Sequence, residues 1–516
     1  MAVARTRSVA LVGVAGRTVE VEADVGNGLA GIHLIGLPDT ALSEARDRVR
    51  SATVNSNYPW PDARIIVSLF PASLPKRGSQ FDLAIAVAIL GAAGVVPAHR
   101  IAELFFLGEL GLDGRIRGVR GVLPSVLGAA KHGDATVVVP AANAAEAVLV
   151  PDVNVVPVGH LRQLVEWLRK GDAPPEPEPE ADAEAEECSE APAANGTPDI
   201  DLADVVGQPV ARRALEVCAA GGHNLWMLGP PGTGKTMLAE RLPTLLPGLE
   251  LDHALEVTAI HSVAGTLPPS APMMSRPPFV SPHHTATSAA IIGGGSTIVR
   301  PGAVSLAHRG VLFMDEAPEF PRHVLDALRQ PLESGRVTVS RSAGSVTFPA
   351  RFMLVLAANP CPCAQTEDQR ETCKCSPTIR RRYLGRLSGP LLDRVDMKVT
   401  VARSSRRELL ADRQFVENSK TVAERVLTAR ERAAKRLTGT PWRSNAEIPS
   451  SVLHTDYRPA ADAMRPMTAC LDAGTLTARG LDRVVRVAWT LADLANKDTP
   501  GQDETNAALS FWLGVR

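Results

Sequence analysis

Apolar and polar positions follow a mixed strand and helix pattern over the first 170 residues. Runs of strand character, such as ARIIVSLF and ATVVVP, alternate with runs of helical period, such as PDTALSEARDRVRSATVN and HLRQLVEWLRKG. The pattern predicts an α+β domain over residues 1–170.

The next stretch, residues 171–199, interrupts this pattern. GDAPPEPEPEADAEAEECSEAPAANGTPD holds ten acidic residues, no Lys or Arg, and no apolar periodicity. Such a composition cannot bury enough surface to offset the entropy lost in ordering its backbone. We expect an acidic disordered linker. Its prolines and its self-repulsion predict an extended chain that keeps the two flanking halves apart.

The second half changes pattern once more. HNLWMLG, GVLFMDEA and FMLVLAANP are short apolar runs that end in turn residues and alternate with helical stretches. This is typical of buried parallel strands, so we expect an α/β core over residues 200–404. From 405 to 516 the pattern is almost entirely helical, with apolar residues at 3.6 spacing, and predicts a helical lid domain.

Composition supports a globular chain. The 516 residues are 45% hydrophobic and 22% charged, which fits about three or four soluble domains. No apolar run reaches the roughly 18 residues of a membrane-spanning helix, and MAVARTRSVALVGVAG is too short in apolar length for a secretory signal. We expect a cytoplasmic protein with no membrane partner.

The net charge of −1 hides an uneven distribution. Outside the acidic stretch, 55 basic residues face 46 acidic ones. A basic balance of this size is compatible with a polyanionic partner, although housekeeping enzymes show similar excesses.

A glycine-rich loop carries the strongest chemical signal. It fits G-x-x-x-x-G-K-[ST] and stands between the strand NLWMLG and the helix TMLAERLPTLL, which is the context that a phosphate-binding loop requires. We expect its backbone N–H groups to cradle ATP phosphates, Lys235 to reach the β- and γ-phosphates, and Thr236 to bind Mg²⁺. The loop residues are Gly229, Pro230, Pro231, Gly232, Thr233, Gly234, Lys235 and Thr236.

Two carboxylates follow the apolar run VLFM, at the end of a sheet where ligands bind. We expect Asp315 to hold Mg²⁺ and Glu316 to polarise the attacking water. Asn359 ends the run FMLVLAAN and could orient water or simply form a turn. The segment 390–396, PLLDRVD, could be no more than an amphipathic helix with a surface salt bridge.

Four of the seven cysteines crowd into the loop after Asn359. Four thiolates suit tetrahedral Zn²⁺, although the C-x-C spacing is tighter than the usual C-x₂-C of zinc ribbons. Free buried thiols or a redox pair are the alternatives. The four residues are Cys361, Cys363, Cys373 and Cys375.

These motifs in this order resemble the AAA+ superfamily and, more narrowly, the magnesium-chelatase-like ComM (YifB) family. The resemblance spans nearly the whole chain and is carried by GLPDTALSEARDRVRSA, PASLPKRGSQFDLAIA, GPPGTGKTMLAERLPTLLP, SPHHTATSAAIIGGGS, PGAVSLAHRGVLFMDEAPEF and RLSGPLLDRVD.

The resemblance implies roles for three further residues. Asn359 corresponds to sensor 1, Arg394 to the arginine finger of a neighbouring subunit, and Arg479 in TARGLDRVVRVA to sensor 2. A finger in trans implies a ring, and the rings of the family are homo-hexamers. Arg382 and Arg386 lie near Arg394 and are alternatives for the finger.

The first half resembles the Lon-protease-like domain of the ribosomal S5 domain 2 fold. Aligning PKRGSQFDLA and GRIRGVRGVLPSVLGA with the Lon segments puts Gln80 at the nucleophile position and Leu123 at the lysine position. Neither side chain can perform Ser-Lys chemistry, so we expect no proteolysis. A shift of one residue would bring Ser79 to the nucleophile position. A structural or partner-binding role is expected for this domain.

Two segments resemble elements that project into the pore of related DNA motors. GRVTVSRSAGSVTFPARF resembles the hairpin before sensor 1, and its Arg336 and Arg341 are candidate DNA contacts, or else simply exposed strand charges. SPHHTATSAAIIGGGS resembles an insertion in the second helix of the core. His283 and His284 on an extended segment would point in opposite directions, so we expect a structural or loop-signalling role instead of a metal site.

The leading interpretation is an ATP-driven ring motor that moves on branched or single-stranded DNA, as the branch-migration helicases of the family do in recombination or natural transformation. A magnesium-chelatase ATPase that remodels a protein partner is the alternative, and that subunit normally lacks the Lon-like domain and the cysteines. A scaffold that binds ATP without hydrolysing it is a third. The composition is 4% aromatic, so phosphate contacts should dominate DNA binding.

Overall fold

The computed structural model describes residues 2–36, 39–76, 78–171, 200–268, 271–295, 299–341, 344–363, 375–403 and 416–514. Three predictions fall on other residues: the acidic linker from residue 172 onward, the domain boundary between 404 and 405, and Cys373.

The N-terminal unit, residues 2–171, is a mixed α/β structure. Its strands are β1 (Ala2–Val12), β2 (Ala15–Gly26), β3 (Gly31–Ile35), β4 (Arg64–Phe70), β5 (Phe105–Phe106), β6 (Glu109–Leu110), β7 (Ile116–Arg117), β8 (Thr136–Pro140) and β9 (Asn154–Val158). Its helices are α1 (Asp39–Asn55), α2 (Asp82–Ala92), α3 (Ala98–Ile101), α4 (Val122–Ala130), α5 (Ala144–Ala147) and α6 (Leu161–Lys170). Seven strands form one sheet in the order β3-β4-β2-β1-β5-β8-β9, and β6 pairs with β7.

The residue pattern explains how this sheet is covered. In β2 every second residue faces inward, so Val19, Val21 and Ala23 are fully buried. Helix α2, with the sequence DLAIAVAILGA, is apolar on all sides and is buried along its whole length against β1 and β2. The Thr6 hydroxyl donates to the Ala84 carbonyl at 3.0 Å and joins strand to helix. The strands and helices expected for this region are therefore present.

The parallel-sheet unit, residues 200–403, contains five parallel strands in one sheet among its described residues. Its strands are β10 (Leu225–Leu228), β11 (Phe279–Val280), β12 (Gly293–Gly294), β13 (Arg300–Pro301), β14 (Val311–Met314), β15 (Arg336–Arg341), β16 (Gly344–Pro349), β17 (Met353–Ala358) and β18 (Met397–Thr400). The sheet order is β11-β14-β17-β10-β18, and every pair in it is parallel. The hairpins β12–β13 and β15–β16 stand apart from this sheet.

Helices surround the parallel sheet. They are α7 (Pro209–Gly221), α8 (Lys235–Arg241), α9 (Leu251–Ala264), α10 (Ser288–Ile292), α11 (Ala303–Leu306), α12 (Arg322–Ala327), α13 (Arg329–Ser334), α14 (Pro377–Leu384) and α15 (Gly389–Leu392). The strands β14 and β17 are buried along their whole length, as their continuous apolar runs predict. The α/β core with a parallel sheet is thus confirmed.

The described residues after 415 fold as helices. They are α16 (Ser419–Arg436), α17 (Ser450–Leu453), α18 (Ala461–Asp472), α19 (Ala478–Leu494) and α20 (Gln502–Leu513). They share one apolar cluster with the parallel sheet and pack against α7 and β18.

A buried carboxylate joins these helices to the sheet. Asp396 accepts hydrogen bonds from Arg483 Nη1 of α19 at 2.8 Å and from the backbone N–H of Asn224 at 2.8 Å. Burial alone would raise the pKa of Asp396, but Arg483 and His223 outweigh burial and hold that pKa well below its usual range. Asp396 is therefore a charged anchor for α19.

The N-terminal and parallel-sheet units are in direct contact. The backbone N–H of Gly121 donates to the Ser262 carbonyl at 3.2 Å, and the Ser262 hydroxyl donates to Glu146. At the turn between β1 and β2, a Cβ on Gly13 would lie only 2.9 Å from the Thr347 carbonyl oxygen of β16. The expectation that the linker keeps the halves apart is wrong, because small residues on both surfaces let the backbones meet.

Across the part of the chain that the structure describes, no helix has both the length and the apolar character needed to cross a membrane.

Candidate nucleotide-binding site

The glycine-rich loop 229–236 connects β10 to α8, as the sequence predicts. Gly229 has no room for a side chain, because a Cβ there would lie 2.2 Å from the Val401 carbonyl oxygen. Gly234 adopts a left-handed backbone with φ 84°, which favours glycine and turns the chain into α8. Local geometry thus accounts for both glycines of the motif.

Lys235 lies inside the loop and is buried. Its Nζ donates to the carbonyls of Gly229 at 2.7 Å and Pro230 at 2.8 Å, and to Asn359 Oδ1 at 3.1 Å. Burial lowers the pKa of Lys235, while Asp315 and Glu316 act in the opposite direction. A phosphate oxygen could replace neutral carbonyl partners around this ammonium group, which makes the loop suitable for an anion.

Thr236 and Asp315 meet at the carboxyl ends of β10 and β14. The Thr236 hydroxyl donates to Asp315 Oδ2 at 2.8 Å, and Asp315 Oδ1 accepts from the backbone N–H of Glu316 at 2.9 Å. A hydroxyl and a carboxylate side by side are hard oxygen ligands of the kind that Mg²⁺ prefers. The two residues fit the expected metal.

Glu316 lies next in the chain and is half-exposed, with a left-handed backbone of φ 49°. His284 Nδ1 lies 3.6 Å from its carboxylate. The rings of His283 and His284 pack together with centroids 4.1 Å apart, since the chain turns at 284–285. The expectation that these side chains point in opposite directions is therefore wrong. The sequence analysis did not predict the contact between His284 and Glu316. The two residues follow β11 and β14, which are neighbouring parallel strands, so both lie at the same edge of the sheet.

Arg394 is almost buried. It donates to the Pro390 carbonyl and forms an ion pair with Glu333, which sequence reasoning did not identify. Arg479, at the start of α19, lies 3.6 Å from Asp393 and is exposed. Arg479 thus pairs with the residue that directly precedes Arg394 in the sequence. Within the described residues, no hydrogen bond or ion pair joins either arginine to Asp315 or Glu316.

The two alternatives for the finger are exposed. Arg386 donates to the Pro318 carbonyl at 3.0 Å and pairs with Glu319 at 3.3 Å. Arg382 lies on the exposed surface of α14.

Three of the four cysteines lie together. The sulfur atoms of Cys361 and Cys363 are 3.0 Å apart, and those of Cys361, Cys363 and Cys375 all lie within 4.8 Å of one another. Three thiols at this separation could bind one metal ion. Cys373 lies outside the described residues.

The two arginines proposed for DNA contact lie at opposite ends of β15. Both are exposed. Arg341 lies at the tip of the β15–β16 hairpin, where one guanidinium nitrogen would be 3.2 Å from a Cβ on Gly294. Arg336 lies at its base, where its backbone N–H donates to Ser334.

The positions compared with Lon contain no assembled dyad. Gln80 donates from its side chain to the Val9 carbonyl at 3.0 Å, and Leu123 is fully buried. The Ser79 hydroxyl donates to the Glu109 carboxylate. Lys76 is buried and donates to the Pro71 carbonyl.

Family models of magnesium chelatase cover most of the chain. The model described as "Magnesium chelatase, subunit ChlI" matches residues 201–409, "Subunit ChlI of Mg-chelatase" matches 21–143, and "Magnesium chelatase, subunit ChlI C-terminal" matches 416–512.

Full-length relatives agree with these matches. An uncharacterized protein of Mycobacterium tuberculosis is 51% identical over 99% of both chains. The uncharacterized protein YifB of Escherichia coli is 40% identical over 97% of this chain and 95% of its own. The competence protein ComM of Haemophilus influenzae is 40% identical over 100% of this chain and 98% of its own. The chain therefore belongs to the magnesium-chelatase-like ComM (YifB) family of the AAA+ superfamily.

Proposed function

We propose that the chain is an ATPase that works as a ring motor on DNA. The observation that carries the ATPase is that Lys235 bonds to Asn359 at 3.1 Å and Thr236 bonds to Asp315 at 2.8 Å, at the carboxyl ends of three neighbouring strands. In open α/β sheets this end of the sheet binds ligands.

We assign a role in ATP hydrolysis to the loop 229–236 and to the three polar residues beside it. The backbone N–H groups of residues 229–236 and the ammonium group of Lys235 bind the phosphates. Thr236 and Asp315 would hold Mg²⁺, which would supply positive charge for the phosphoryl oxygens. Glu316 accepts the proton of the attacking water, and Asn359, now bonded to Lys235, orients that water as sensor 1.

Subunit contact would complete the site. Arg394 acts as the finger in a neighbouring subunit of a homo-hexameric ring, and Arg479 acts as sensor 2 from a helical lid. The pair between Arg394 and Glu333 is then a resting position that the finger leaves when the ring assembles. Arg394 is almost buried, so its side chain would have to leave this position to reach a neighbouring subunit.

The DNA substrate is supported by charge and by family. Outside residues 171–199 the chain is basic, and one relative is named a competence protein. We propose a branch-migration helicase, active in the cytoplasm in recombination or natural transformation.

A chelatase-type ATPase that remodels a protein partner is the second candidate. The N-terminal unit does not separate the two functions, because a model described as "Subunit ChlI of Mg-chelatase" matches residues 21–143. The cysteine cluster remains the sequence feature that favours the motor.

One experiment separates the two candidates. The ATPase rate is measured at low salt without DNA and with single-stranded, duplex and branched DNA. Stimulation by DNA is expected for the motor. An assembled, active enzyme that is indifferent to every form of DNA would favour the remodelling function.

The N-terminal unit is proposed to have the Lon-protease-like S5 domain 2 fold without peptidase activity. Ser79 donates to a carboxylate, and neither a lysine nor a histidine is among the described residues that line the cavity beside it. Full-length protein should leave a fluorescent casein substrate intact with and without ATP. Cleavage that Ser79→Ala abolishes would contradict this.

The cysteine cluster is proposed to hold one structural Zn²⁺. Cys361, Cys363 and Cys375 provide three thiolates, and Cys373 would be the fourth ligand. Elemental analysis should find one zinc per chain in the wild type and less in Cys375→Ser. Four freely titratable thiols with no zinc would rule out the site.

A further inference from the structure

A cavity of about 920 Å³ lies between the N-terminal unit and the two hairpins of the parallel-sheet unit. The N-terminal side is formed by the β1–β2 turn, the loop at Gly78–Gln80 and the loop before α4. The other side is formed by β13 and the tip of the β15–β16 hairpin. We call this space the interface cavity. Its volume is within the range of ligand sites.

Three arginines line the interface cavity: Arg120, Arg300 and Arg341. Arg120 comes from the N-terminal unit and the other two come from the hairpins. Within the described residues, none of the three forms an ion pair. Glu109 is the one carboxylate among the described lining residues, and it already accepts a hydrogen bond from Ser79. The cavity therefore carries an excess of positive charge.

Glycines let these arginines lie close to the backbone. Gly294 pairs with Arg300 in the β12–β13 hairpin, and a Cβ on Gly294 would lie 3.2 Å from Arg341 Nη2. Arg300 and Arg341 thus both lie next to Gly294. A Cβ on Gly265 would lie 2.6 Å from Arg120 Nε. Like charges held around one space repel each other unless an anion neutralises them.

The remaining lining indicates the kind of anion. Apart from the three arginines and Glu109, the described lining residues are aliphatic residues, glycines, serines, one proline and one glutamine, and none is aromatic. Such a cavity offers no platform for base stacking, but guanidinium groups bind phosphate oxygens of any sequence.

We propose that the interface cavity binds the phosphodiester backbone of a nucleic-acid strand, and that Arg120 makes the N-terminal unit part of this binding site. The proposal rests on the motor function proposed above and adds Arg120 and Arg300 to Arg341. The strand contacts both units at once, so the N-terminal unit takes part in holding DNA.

The test measures binding of a labelled single-stranded oligodeoxynucleotide to full-length protein by fluorescence anisotropy across a series of salt concentrations. The variants are Arg120→Ala, Arg300→Ala and the double variant, and the matched control is Arg50→Ala. Arg50 is exposed on α1 and does not line the cavity. Each cavity variant should bind severalfold more weakly, and the negative slope of log K against log salt should become shallower by about 0.7 for each arginine removed. Basal ATPase should be unchanged.

Different failures have different meanings. If the wild type binds DNA and Arg120→Ala behaves like Arg50→Ala, the proposal for the cavity is overturned and the motor function stands. If no variant or wild type binds DNA, the motor function fails as well. If inorganic phosphate at millimolar concentration raises the melting temperature of the wild type but not of Arg120→Ala, while DNA does not bind, the cavity holds a small anion and the strand is excluded.

Discussion

Two glycine-containing loops occupy comparable places in the two units, and their chemistry differs. Residues 229–236 lead into α8, whose first two residues are Lys235 and Thr236, and residues 78–80 precede the buried helix α2. In the first loop the ammonium group of Lys235 donates to two loop carbonyls, and the Thr236 hydroxyl donates to the Asp315 carboxylate. In the second, Ser79 and Gln80 bond to Glu109 and a backbone carbonyl. A hydroxyl meets a carboxylate beside both loops, so the difference is the ammonium group of Lys235, which lies among the carbonyls of the first loop alone.

Removing the ammonium group of the first loop should have the largest effect. Lys235→Ala is expected to abolish ATP binding and turnover, because the loop loses the cation that lies between its carbonyls. Binding is measured with a fluorescent ATP analogue. Lys131→Ala, at an exposed position after α4, serves as the control and should bind normally. Normal binding by Lys235→Ala would remove the loop from the proposed site.

Removing the proposed arginine finger should have the second-largest effect. Arg394→Ala is expected to lower the hydrolysis rate by roughly 10³- to 10⁵-fold, since a finger stabilises charge on the transferring phosphoryl group. Glu333→Gln removes only its resting partner and should retain activity. Mixtures of Arg394→Ala with Lys235→Ala subunits should show activity that depends on subunit ratio. Equal loss in both single variants would indicate that the ion pair serves folding.

Loss of the base should have a somewhat smaller effect. Glu316→Gln is expected to bind ATP and hydrolyse it roughly 10²- to 10⁴-fold more slowly, because the amide cannot accept the proton of water. Single-turnover hydrolysis measures the step, and Glu424→Gln, exposed on α16, is the control. Wild-type rates in Glu316→Gln would assign the base elsewhere.

The smallest effect concerns a buried carboxylate beside the second loop. Burial raises the pKa of Asp82 to about 6, although Arg48 acts against it. Because the folded pKa lies above the unfolded one, Asp82 stabilises the fold in its protonated form and this contribution is lost as pH rises through 6. The melting temperature of the wild type relative to Asp82→Asn should therefore rise from pH 7.5 to pH 5. A difference independent of pH would contradict this.

The sequence predicted what local chemistry determines. The loop 229–236, the strand that ends in Asp315 and the position of Asn359 follow from short contiguous patterns, and the structure has them together. The contact of His284 with Glu316 could not be predicted, because β11 has only two residues and its register is set by tertiary pairing.

Contacts between residues that are far apart in the chain could also not be predicted from the sequence. The pair of Arg394 with Glu333 joins residues 61 positions apart. The contact of Gly13 with Thr347 depends on shape that no periodicity encodes. The composition of the linker predicted that the N-terminal and parallel-sheet units stay apart, and this prediction is wrong. Composition describes the stiffness of the linker and carries no information about the two surfaces that meet.

The contact between the β1–β2 turn and β16 has a mechanical consequence. Gly13 approaches the backbone of β16 too closely to leave space for slippage, and Val14 packs against the apolar cluster of the parallel-sheet unit. A tilt of the hairpin would be passed to β1 and β2 in the middle of the seven-stranded sheet, whose outer strands β3 and β9 lie about 10 Å and about 14 Å away at a strand spacing of about 4.8 Å. A rotation at the hairpin would therefore move the outer strands farther than the central ones.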